Sequence, residues 1–529
     1  MLKFIFGYCI KHLDTMTSIL RLIKHFRCFF YGLLMPLSFA PFHLPGFAII
    51  GLALLFHELH QPTCQSSKSK AAWQGFLFGL GFFGVGTSWI YVSIQEYGHL
   101  NILLAGCITL LFIIYLSLFT AIMSTAYVSL KTSPSTPSAI VAFAAIWTLS
   151  EYLRASLFTG FPWLLVGFGQ FDTPLKFLLP FVGVYGVSFI TASCAGLLVV
   201  FFQQSKTKRL SSLSCLIALL LAPQWMHQPI VPSSSSKPLH VAIIQSNLSM
   251  RDKWDETLFW NLLNHYRENI YKLLGNDIIV LPESAFPISM AYIQDILHQL
   301  SDDAKKAKSS ILLGIPKPDE ADPSSFYNAL VVLGQGDGIY LKQHLVPFGE
   351  YVPTPFHRIT QVLGVPEINN LQAGSGSQPL IHTQDTSVAS LICYELAYGE
   401  LLRAQLPQAQ WIVSISDDGW FGHSLAMYQQ QQIAQVRSIQ THRYQIMANN
   451  DGLSSVIDPL GNIVAELKPF TQGNLQANLV PLRDTTYWVT WGDNPILVLI
   501  SMITIFIYCR RRKEALSLPA SQRVVNPHG

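Results

Sequence analysis

A series of long apolar runs, broken by short polar loops, fills about the first 230 residues and limits the possible folds more than any other feature of the chain. Half of all 529 residues are hydrophobic and only 12% are charged, whereas a soluble protein carries about 25% charged residues. So much apolar surface cannot be hidden from water in one globular core, so we expect part of the chain to lie in lipid. The net charge of +3 is too small to indicate a nucleic-acid partner.

We predict a multi-span α-helical membrane bundle of eight helices, seven of them before a long polar region and one after it. A hydrocarbon core of about 30 Å needs about 20 apolar residues. The first two runs are short by this measure and could form a broken or tilted pair. The predicted spans cover residues 28–41, 45–59, 73–93, 101–130, 139–158, 177–202, 210–225 and 495–509.

Lysine and arginine residues fall in alternate loops of this series and at both of its ends. Because basic loops stay on the cytoplasmic side of a bacterial inner membrane, both termini are predicted to be cytoplasmic and the polar region periplasmic. The basic residues that support this orientation are Lys3, Lys11, Arg21, Lys24, Arg27, Lys68, Lys70, Lys131, Lys206, Lys208, Arg209, Arg510, Arg511, Arg512 and Lys513.

The chain is therefore predicted to contain three regions. Residues 1–232 form the seven-span membrane domain, residues 233–487 form the water-exposed domain, and residues 488–529 form the last helix with a basic cytoplasmic tail. The serine run at 233–236 is interpreted as a linker. Beyond it, short runs rich in valine and isoleucine alternate with helical stretches, which predicts an α/β domain with buried sheets.

Three features of the membrane region are interpreted as structural. A cluster of glycines resembles a phosphate loop, but no Gly-Lys-Ser/Thr follows it, so close helix packing is expected. Glu151 and Arg154 lie on one helical face, where they can neutralise each other. The turn at 161–163 could anchor the membrane surface or line a substrate entrance, and its tryptophan favours the anchor. The glycines are Gly75, Gly79, Gly81, Gly84 and Gly86.

Three reactive side chains lie at predicted strand ends in the polar region. Glu283 follows the apolar run 278–281, Lys342 lies after the hairpin at 335–338, and Cys393 ends the run 387–392. Taken singly, they could be a helix cap, an edge-strand lysine and a small buried side chain. Together they supply a base, a cation and a nucleophile at strand ends, where ligand sites of open α/β sheets lie. Acyl transfer through the cysteine is therefore the leading hypothesis.

The distribution of cysteines supports a special role for Cys393. It is the only one of the eight cysteines that lies in the polar region, and the chain has no Cys or His spacing typical of zinc sites. A helix is predicted to begin beside it. The dipole of that helix should lower the pKa of the thiol and make the thiolate accessible near neutral pH.

The motifs around these residues resemble those of a known family. Segments 281–284, 340–350 and 392–395 are similar to the Glu–Lys–Cys motifs of the nitrilase superfamily, in the form found in the bacterial apolipoprotein N-acyltransferase family. Segments 160–163, 253–256 and 418–422 are also similar to that family. Two segments depart from it: the family more often has Asn-Asp-Ala-Trp where this chain has Asp417-Asp418-Gly419-Trp420, and Asp451 is inserted in an Asn-Asn-Gly turn.

The resemblance implies a stacked α–β–β–α domain and a ping-pong reaction at the outer face of the inner membrane. Cys393 would take a fatty acyl chain from a phospholipid, typically phosphatidylethanolamine, and hold it as a thioester. The acceptor would be the amino group of the S-diacylglyceryl cysteine that begins an apolipoprotein. No metal or other cofactor would be needed, because the thioester stores the acyl-transfer potential.

The resemblance also implies a role for each site residue. Glu283 would be the general base, Lys342 would stabilise the oxyanion, and Glu350 would orient Lys342. Tyr394 and Glu395 would lie in the cleft. The residues expected to contact substrate are Trp163, Trp254, Trp420 and Phe421.

Two other classes of protein remain open at this point. A membrane-anchored nitrilase-type amidase would use the same three residues on a small C–N substrate, but it would need neither eight spans nor aromatic loops at the bilayer. A non-catalytic membrane scaffold would have no need of an intact triad.

The placement of basic residues yields a topology that reporter fusions can test. A reporter inserted at 233–236 should show periplasmic activity, and one fused after Lys513 should show cytoplasmic activity, because the basic loops remain inside. Enzyme activity of the two reporters in intact cells is the measurement. Finding both reporters on one side would mean that the last predicted span does not cross the membrane.

Overall fold

The computed structural model describes residues 25–517, except for 99, 131, 133–135, 227–236, 323, 354–356 and 359–369. The predicted linker at 233–236 and the basic residues up to Lys24 lie outside the described residues. Within the described part, a helical bundle precedes a domain of two β-sheets, and the last helix, Asn494–Ser517, packs back against the bundle.

Five apolar helical segments in the described part of the chain are long enough to cross a membrane, and a bent pair of helices makes a sixth. The runs predicted as the first two spans form shorter helices, at residues 25–32 and Gly46–Leu59. Eight crossings therefore remain a prediction. The six segments are Lys68–Gly86 with Trp89–Glu96, Ile102–Ser129, Pro137–Thr159, Pro174–Gln203, Lys206–Met226 and Asn494–Lys513.

Glycines allow two helices of the bundle to approach each other closely. A Cβ atom at Gly75 would collide with Ser124, and one at Gly79 would collide with Thr120, both on helix Ile102–Ser129. Small residues at such contacts permit van der Waals packing in lipid, where no hydrophobic driving force brings helices together. The predicted packing role is thus confirmed for these two glycines, whereas Gly84 faces open space.

The domain that follows the helical bundle contains two mixed sheets of seven strands each within the described residues. The strands are β1 Leu239–Gln245, β2 Ile278–Val280, β3 Ser310–Pro318, β4 Phe326–Gly334, β5 Gly336–Asp337, β6 Ile339–Leu341, β7 Leu371–Gln372, β8 Ile381–Thr383, β9 Thr386–Ile392, β10 Trp411–Ser416, β11 Gln445–Asn449, β12 Ser455–Ile457, β13 Ile463–Glu466 and β14 Gly473–Leu479. The first sheet has the order β14-β1-β2-β3-β4-β6, with β7 also pairing with β4, and the second has the order β13-β12-β11-β10-β9-β8-β5.

The two sheets stack between helical layers, which confirms the predicted α–β–β–α sandwich. Helices Phe259–Leu273 and Gln294–Lys306 cover the outer face of the first sheet, and helix Ala426–Thr441 covers the outer face of the second. The inner faces pack on each other through alternate apolar residues, among them Ile243 and Val413. Because both faces of each sheet are covered, the central strands are nearly continuous apolar runs. The shorter helices are Met250–Lys253, Gly399–Arg403 and Tyr487–Trp491.

Helix Ala426–Thr441 fixes the domain to the membrane bundle, and nearly all of its side chains are buried. Gln429 donates to the carbonyl oxygen of Gly86 (3.2 Å) and accepts from the indole of Trp163 (2.6 Å). Gln432 accepts from the backbone N–H of Ala40 (3.2 Å). A polar helix can be buried here because its glutamine side chains hydrogen-bond to groups on both sides.

Packing at Gly75 can be tested against a matched glycine of the same helix. Gly75→Ala should destabilise the protein by about 1–3 kcal/mol, because the added methyl group overpacks the contact with helix Ile102–Ser129. Gly84→Ala should be neutral or slightly stabilising, since alanine favours a helix over glycine. The midpoint of thermal unfolding in detergent is the measurement. Equal midpoints for the two variants would contradict close packing at Gly75.

Candidate active site

The structure brings Glu283, Lys342 and Cys393 together at adjacent strand ends. Glu283 follows β2, which is parallel to both of its neighbours, and Pro282 ends that strand. Lys342 follows β6 directly, and Cys393 follows β9 directly. Two carboxyl strand ends, one from each sheet, therefore meet beside the lysine. All three side chains are buried.

Lys342 is the charged centre of the site. Its Nζ atom lies 2.6 Å from Oε1 of Glu350 and 3.3 Å from Oε1 of Glu283. Burial alone would lower the pKa of Lys342, but the two carboxylates outweigh it and raise that pKa well above its ordinary value. The lysine is therefore a permanent cation rather than an ordinary edge-strand lysine. Burial raises the pKa of Glu350, and the charge of Lys342 opposes that increase.

Glu283 is held by donors from three directions. Its Oε1 atom accepts from the amide of Asn328 (2.6 Å) as well as facing Lys342, and its Oε2 atom accepts from the backbone N–H of Asp417 (3.1 Å). It does not cap a helix, because the next helical turn, Met290–Tyr292, is capped by Ser289. The carboxylate thus has a fixed orientation beside the lysine.

Cys393 stands at a sharp turn between strand and helical segment. Its backbone has a φ angle of 55°, a left-handed conformation that costs a non-glycine residue about 1–3 kcal/mol and occurs often at functional sites. Strand register pairs Ile392 with Ile415, which places the next residue, Ser416, beside the thiol. The Ser416 hydroxyl itself donates to Oδ1 of Asp418 (2.8 Å).

The predicted thiolate near neutral pH is wrong for this environment. Burial raises the pKa of the Cys393 thiol well above its ordinary value, and the charge of Glu283 raises it further, although Lys342 opposes both effects. The helical segment after the cysteine is only the short 3₁₀ turn Cys393–Ala397, whose dipole is too small to offset burial. The resting nucleophile is therefore a neutral thiol that needs a base.

Glu395 accepts hydrogen bonds from two segments of the site and connects them. Its Oε1 atom accepts from the backbone N–H groups of Gln343 (2.6 Å) and His344 (3.0 Å). Its Oε2 atom accepts from the N–H of Ile392 (2.8 Å) and from the hydroxyl of Tyr340 (3.0 Å). Burial raises the pKa of Glu395 to about 7, although the backbone donors oppose this increase. The carboxyl group joins the segment after Lys342 to the strand that ends at Cys393.

The nucleophile turn rests on the membrane bundle. Tyr398 donates to the carbonyl oxygen of Gly160 (2.9 Å), and Tyr394 donates to the same oxygen over 3.4 Å. The Tyr394 ring also stacks on Trp163, with ring centroids 6.2 Å apart. Trp163 is only 2% exposed, so the predicted anchor at the membrane surface is wrong. The indole instead supports the tyrosine that follows the nucleophile.

Glu151 and Arg154 hold the loop that carries Gly160 and Trp163. Arg154 donates to the carbonyl oxygens of Phe161 (2.8 Å) and Trp163 (2.6 Å). Glu151 accepts from the backbone N–H of Val166 (2.8 Å). Their role is structural, as expected, and both side chains perform it by hydrogen-bonding to the backbone of this loop.

Large aromatic side chains lie on two loops that begin at the site. Trp254 is 50% exposed and Trp420 is 37% exposed. Phe421 packs edge-on against Trp89 of the bent membrane helix, with ring centroids 5.0 Å apart, and the hydroxyl of Ser93 donates to the Trp420 carbonyl oxygen (2.7 Å). The loop 418–421 therefore lies against the membrane bundle, and its tryptophan side chain is partly exposed.

A cavity of about 520 Å³ opens beside the segment that follows Lys342. It extends to Thr159 in the loop of the membrane bundle, and so lies at the boundary between bundle and domain. The other lining residues are Gln343, His344, Leu345, Tyr351, Val352, Leu371, Gln372 and Ala373. Among the described residues, no group of three or more His, Cys, Asp or Glu side chains is arranged to hold a metal ion.

Sequence reasoning missed two residues of the site, Asn328 and Ser416. Asn328 lies in β4, directly before its apolar run. Its backbone oxygen accepts from the N–H of Lys342 (2.8 Å), so only the pairing of β4 with the lysine segment reveals it. Ser416 is the last residue of β10, and Cys393 directly follows the neighbouring strand β9. A polar residue at the end of an apolar run was the available signal for both.

Comparison with known proteins agrees with this geometry. A family model described as the apolipoprotein N-acyltransferase N-terminal domain matches residues 31–197, and one described as carbon-nitrogen hydrolase matches residues 240–486. The apolipoprotein N-acyltransferase of Coxiella burnetii is 34% identical over 93% of this chain and 99% of its own length. Those of Methylococcus capsulatus and Azotobacter vinelandii are also 34% identical, over 92% and 91% of this chain and 96% and 94% of their own lengths. The chain therefore belongs to the apolipoprotein N-acyltransferase family, whose catalytic domain is a carbon-nitrogen hydrolase.

Proposed function

We propose that this enzyme transfers a fatty acyl chain from a membrane phospholipid, through a thioester on Cys393, to the amino group of an S-diacylglyceryl cysteine at the start of an apolipoprotein. Membership of the family supports the activity, and the buried Glu283–Lys342–Cys393 cluster supports the route. Phosphatidylethanolamine is the proposed donor. The catalytic domain lies in the periplasm and both termini lie in the cytoplasm. This orientation places the basic residues, which lie at both ends and in alternate loops, on the cytoplasmic side.

In the first half-reaction, Glu283 accepts the proton of the neutral thiol as the sulfur attacks the ester carbonyl carbon of the phospholipid. The carbonyl oxygen becomes an oxyanion, and the cation of Lys342 stabilises it. Loss of such a donor typically lowers the rate by about 10²–10³-fold. The carbon–oxygen bond of the ester then breaks, and the proton on Glu283 passes to the departing lysophospholipid.

In the second half-reaction, the amino group of the acceptor attacks the thioester carbonyl carbon. Glu283 accepts a proton from the amine, Lys342 again stabilises the oxyanion, and the carbon–sulfur bond breaks. The thiol is re-formed with the proton from Glu283, so one amide replaces one ester and the enzyme returns to its starting state. Glu350 keeps Lys342 in place through both steps.

The observation that carries this proposal is the contact between the nucleophile turn and the membrane bundle. Tyr394 and Tyr398 bind the carbonyl oxygen of Gly160, so the thiol lies where the apolar bundle meets the catalytic domain. An acyl donor embedded in lipid can reach such a thiol without leaving the membrane entirely. We propose that Trp254, Trp420 and Phe421 contact that lipid, and that Trp163 acts by supporting Tyr394.

The thioester on Cys393 can be trapped directly. Wild-type enzyme incubated with phospholipid but no acceptor should gain one acyl chain on the peptide that contains Cys393. The variant Cys393→Ala should gain none while still inserting and folding, and Cys107→Ala, which removes an exposed thiol in a membrane helix, should react like wild type. Mass spectrometry of the digested protein is the measurement. Acylation at another residue, or turnover of a small soluble amide without any lipid, would contradict the proposal and favour an amidase.

Substitutions of Glu283 and of Lys342 should shift the titration of the Cys393 thiol in opposite directions. Lys342→Met should move the alkylation midpoint of Cys393 to higher pH, because the cation is the group that lowers the thiol pKa. Glu283→Gln should move it to lower pH, because the carboxylate raises that pKa. Both variants should nevertheless form the acyl-enzyme at least about 10²-fold more slowly. Alkylation by a small neutral reagent and single-turnover acylation are the measurements.

If Glu283→Gln forms the acyl-enzyme slowly although its thiol ionises more easily, Glu283 is needed to accept the proton and not only for its charge. Shifts of both midpoints in the same direction would show that the two charges do not act on the thiol as proposed. The double variant should be little slower than either single variant, because residues that act as a unit are not additive.

A further inference from the structure

A second buried ion pair lies directly behind the general base. Lys253 ends the helical turn Met250–Lys253, and Asp417 is the first residue after β10. The lysine Nζ atom forms an ion pair with Oδ2 of Asp417, and both residues are at most 3% exposed. The other carboxylate oxygen of Asp417 accepts from Asn450 (3.1 Å) and from the N–H of Gly419 (3.2 Å).

The two residues of this ion pair hydrogen-bond to Glu283 at two separate atoms. Lys253 donates to the backbone carbonyl oxygen of Glu283 (2.8 Å), and the backbone N–H of Asp417 donates to its Oε2 atom (3.1 Å). Both contacts with Glu283 are made in the buried interior of the domain. One holds the main chain of the base, and the other holds the oxygen that faces away from Lys342.

Resting on the function proposed above, we propose that Lys253 and Asp417 are positioning residues that fix Glu283 and keep the charge behind it neutral. An unpaired cation at this place would favour the ionised carboxylate and weaken it as a base. An unpaired anion would favour the protonated carboxyl group, which cannot accept the thiol proton. The matched pair gives Glu283 a rigid support without either effect.

Two further carboxyl groups lie close to the pair, and burial disfavours the charged form of each. Burial raises the pKa of Asp418 well above its ordinary value. Burial, followed by the charge of Asp417, raises the pKa of Asp451 to about 7. The carboxylate in direct contact with Lys253 is that of Asp417. On its opposite side, Glu283 faces Lys342, Glu350 and Cys393, which the substitutions below leave unchanged.

The test is the pH profile of single-turnover acylation of Cys393 in the full-length enzyme in detergent with phospholipid. Asp417→Asn leaves the cation of Lys253 unpaired, so the acidic limb of the profile should move to lower pH by about one unit. Lys253→Met leaves the anion of Asp417 unpaired, so the limb should move to higher pH by a similar amount. The double variant should return the limb close to its wild-type position.

Loss of the contact with the Glu283 carbonyl should also slow Lys253→Met, by about 10²-fold if the base shifts by about 1 Å. Asparagine at position 417 is expected to fold, since it is the residue that the resembling family more often carries there. Lys306→Met and Asp303→Asn remove a surface ion pair on another helix and should leave the limb unchanged.

Opposite shifts in the two single variants that cancel in the double variant would support the proposal, because a merely structural role would lower the rate without moving the limb. Shifts in the same direction, or no shift in either variant, would overturn it. If wild-type Cys393 is not acylated at all, the proposed function fails. If it is acylated and the limb stays fixed in both variants, only the role of this ion pair fails.

Discussion

The rest of the site depends on the charge balance around Lys342. A buried ammonium group costs several kcal/mol unless opposite charges and hydrogen bonds replace its water, and Glu283 and Glu350 provide both at 3.3 and 2.6 Å. Burial, together with the excess negative charge of these carboxylates, raises the pKa of the Cys393 thiol and keeps it neutral. Lysine, base and nucleophile are therefore one electrostatic unit. A thiol in such a unit reacts only when its proton can pass to the carboxylate. Because that transfer accompanies attack on a carbonyl carbon, the thiol reacts only after the substrate has bound.

The scaffold that holds this unit is shared between the domain and the membrane bundle. Helix Ala426–Thr441 is packed by the second sheet on one side and by membrane helices on the other. Arg437 on this helix donates to the carbonyl oxygens of Leu396 and Ala397, at the end of the nucleophile turn. Buried polar groups must find partners in a low-dielectric interior, so these contacts set the distance between the thiol and the bundle. An enzyme whose donor is a lipid needs that distance to be fixed.

Much of this architecture could be predicted from local sequence. Apolar runs predicted the membrane helices, and strand-like runs ending in Glu283 and Cys393 predicted the carboxyl-edge site, because period and composition are local properties. Prediction was weaker where partners are distant in the chain. The first two runs are helices shorter than a span. The buried indole of Trp163 donates to a glutamine 266 residues away, and the helix expected to lower the pKa of Cys393 is one short turn.

The sequence by itself determined the two-part architecture and the identity of the reactive groups, since hydropathy, charge and motif spacing are written along the chain. Only the tertiary structure decided how those groups behave. Burial reversed the expected direction of the Cys393 pKa, because desolvation penalises a thiolate more than a short helical turn stabilises it. The pairing of Lys253 with Asp417 across 164 residues likewise exists only after the two sheets stack. Side-chain chemistry is local, whereas the dielectric environment and the neighbouring charges that tune it are properties of the fold.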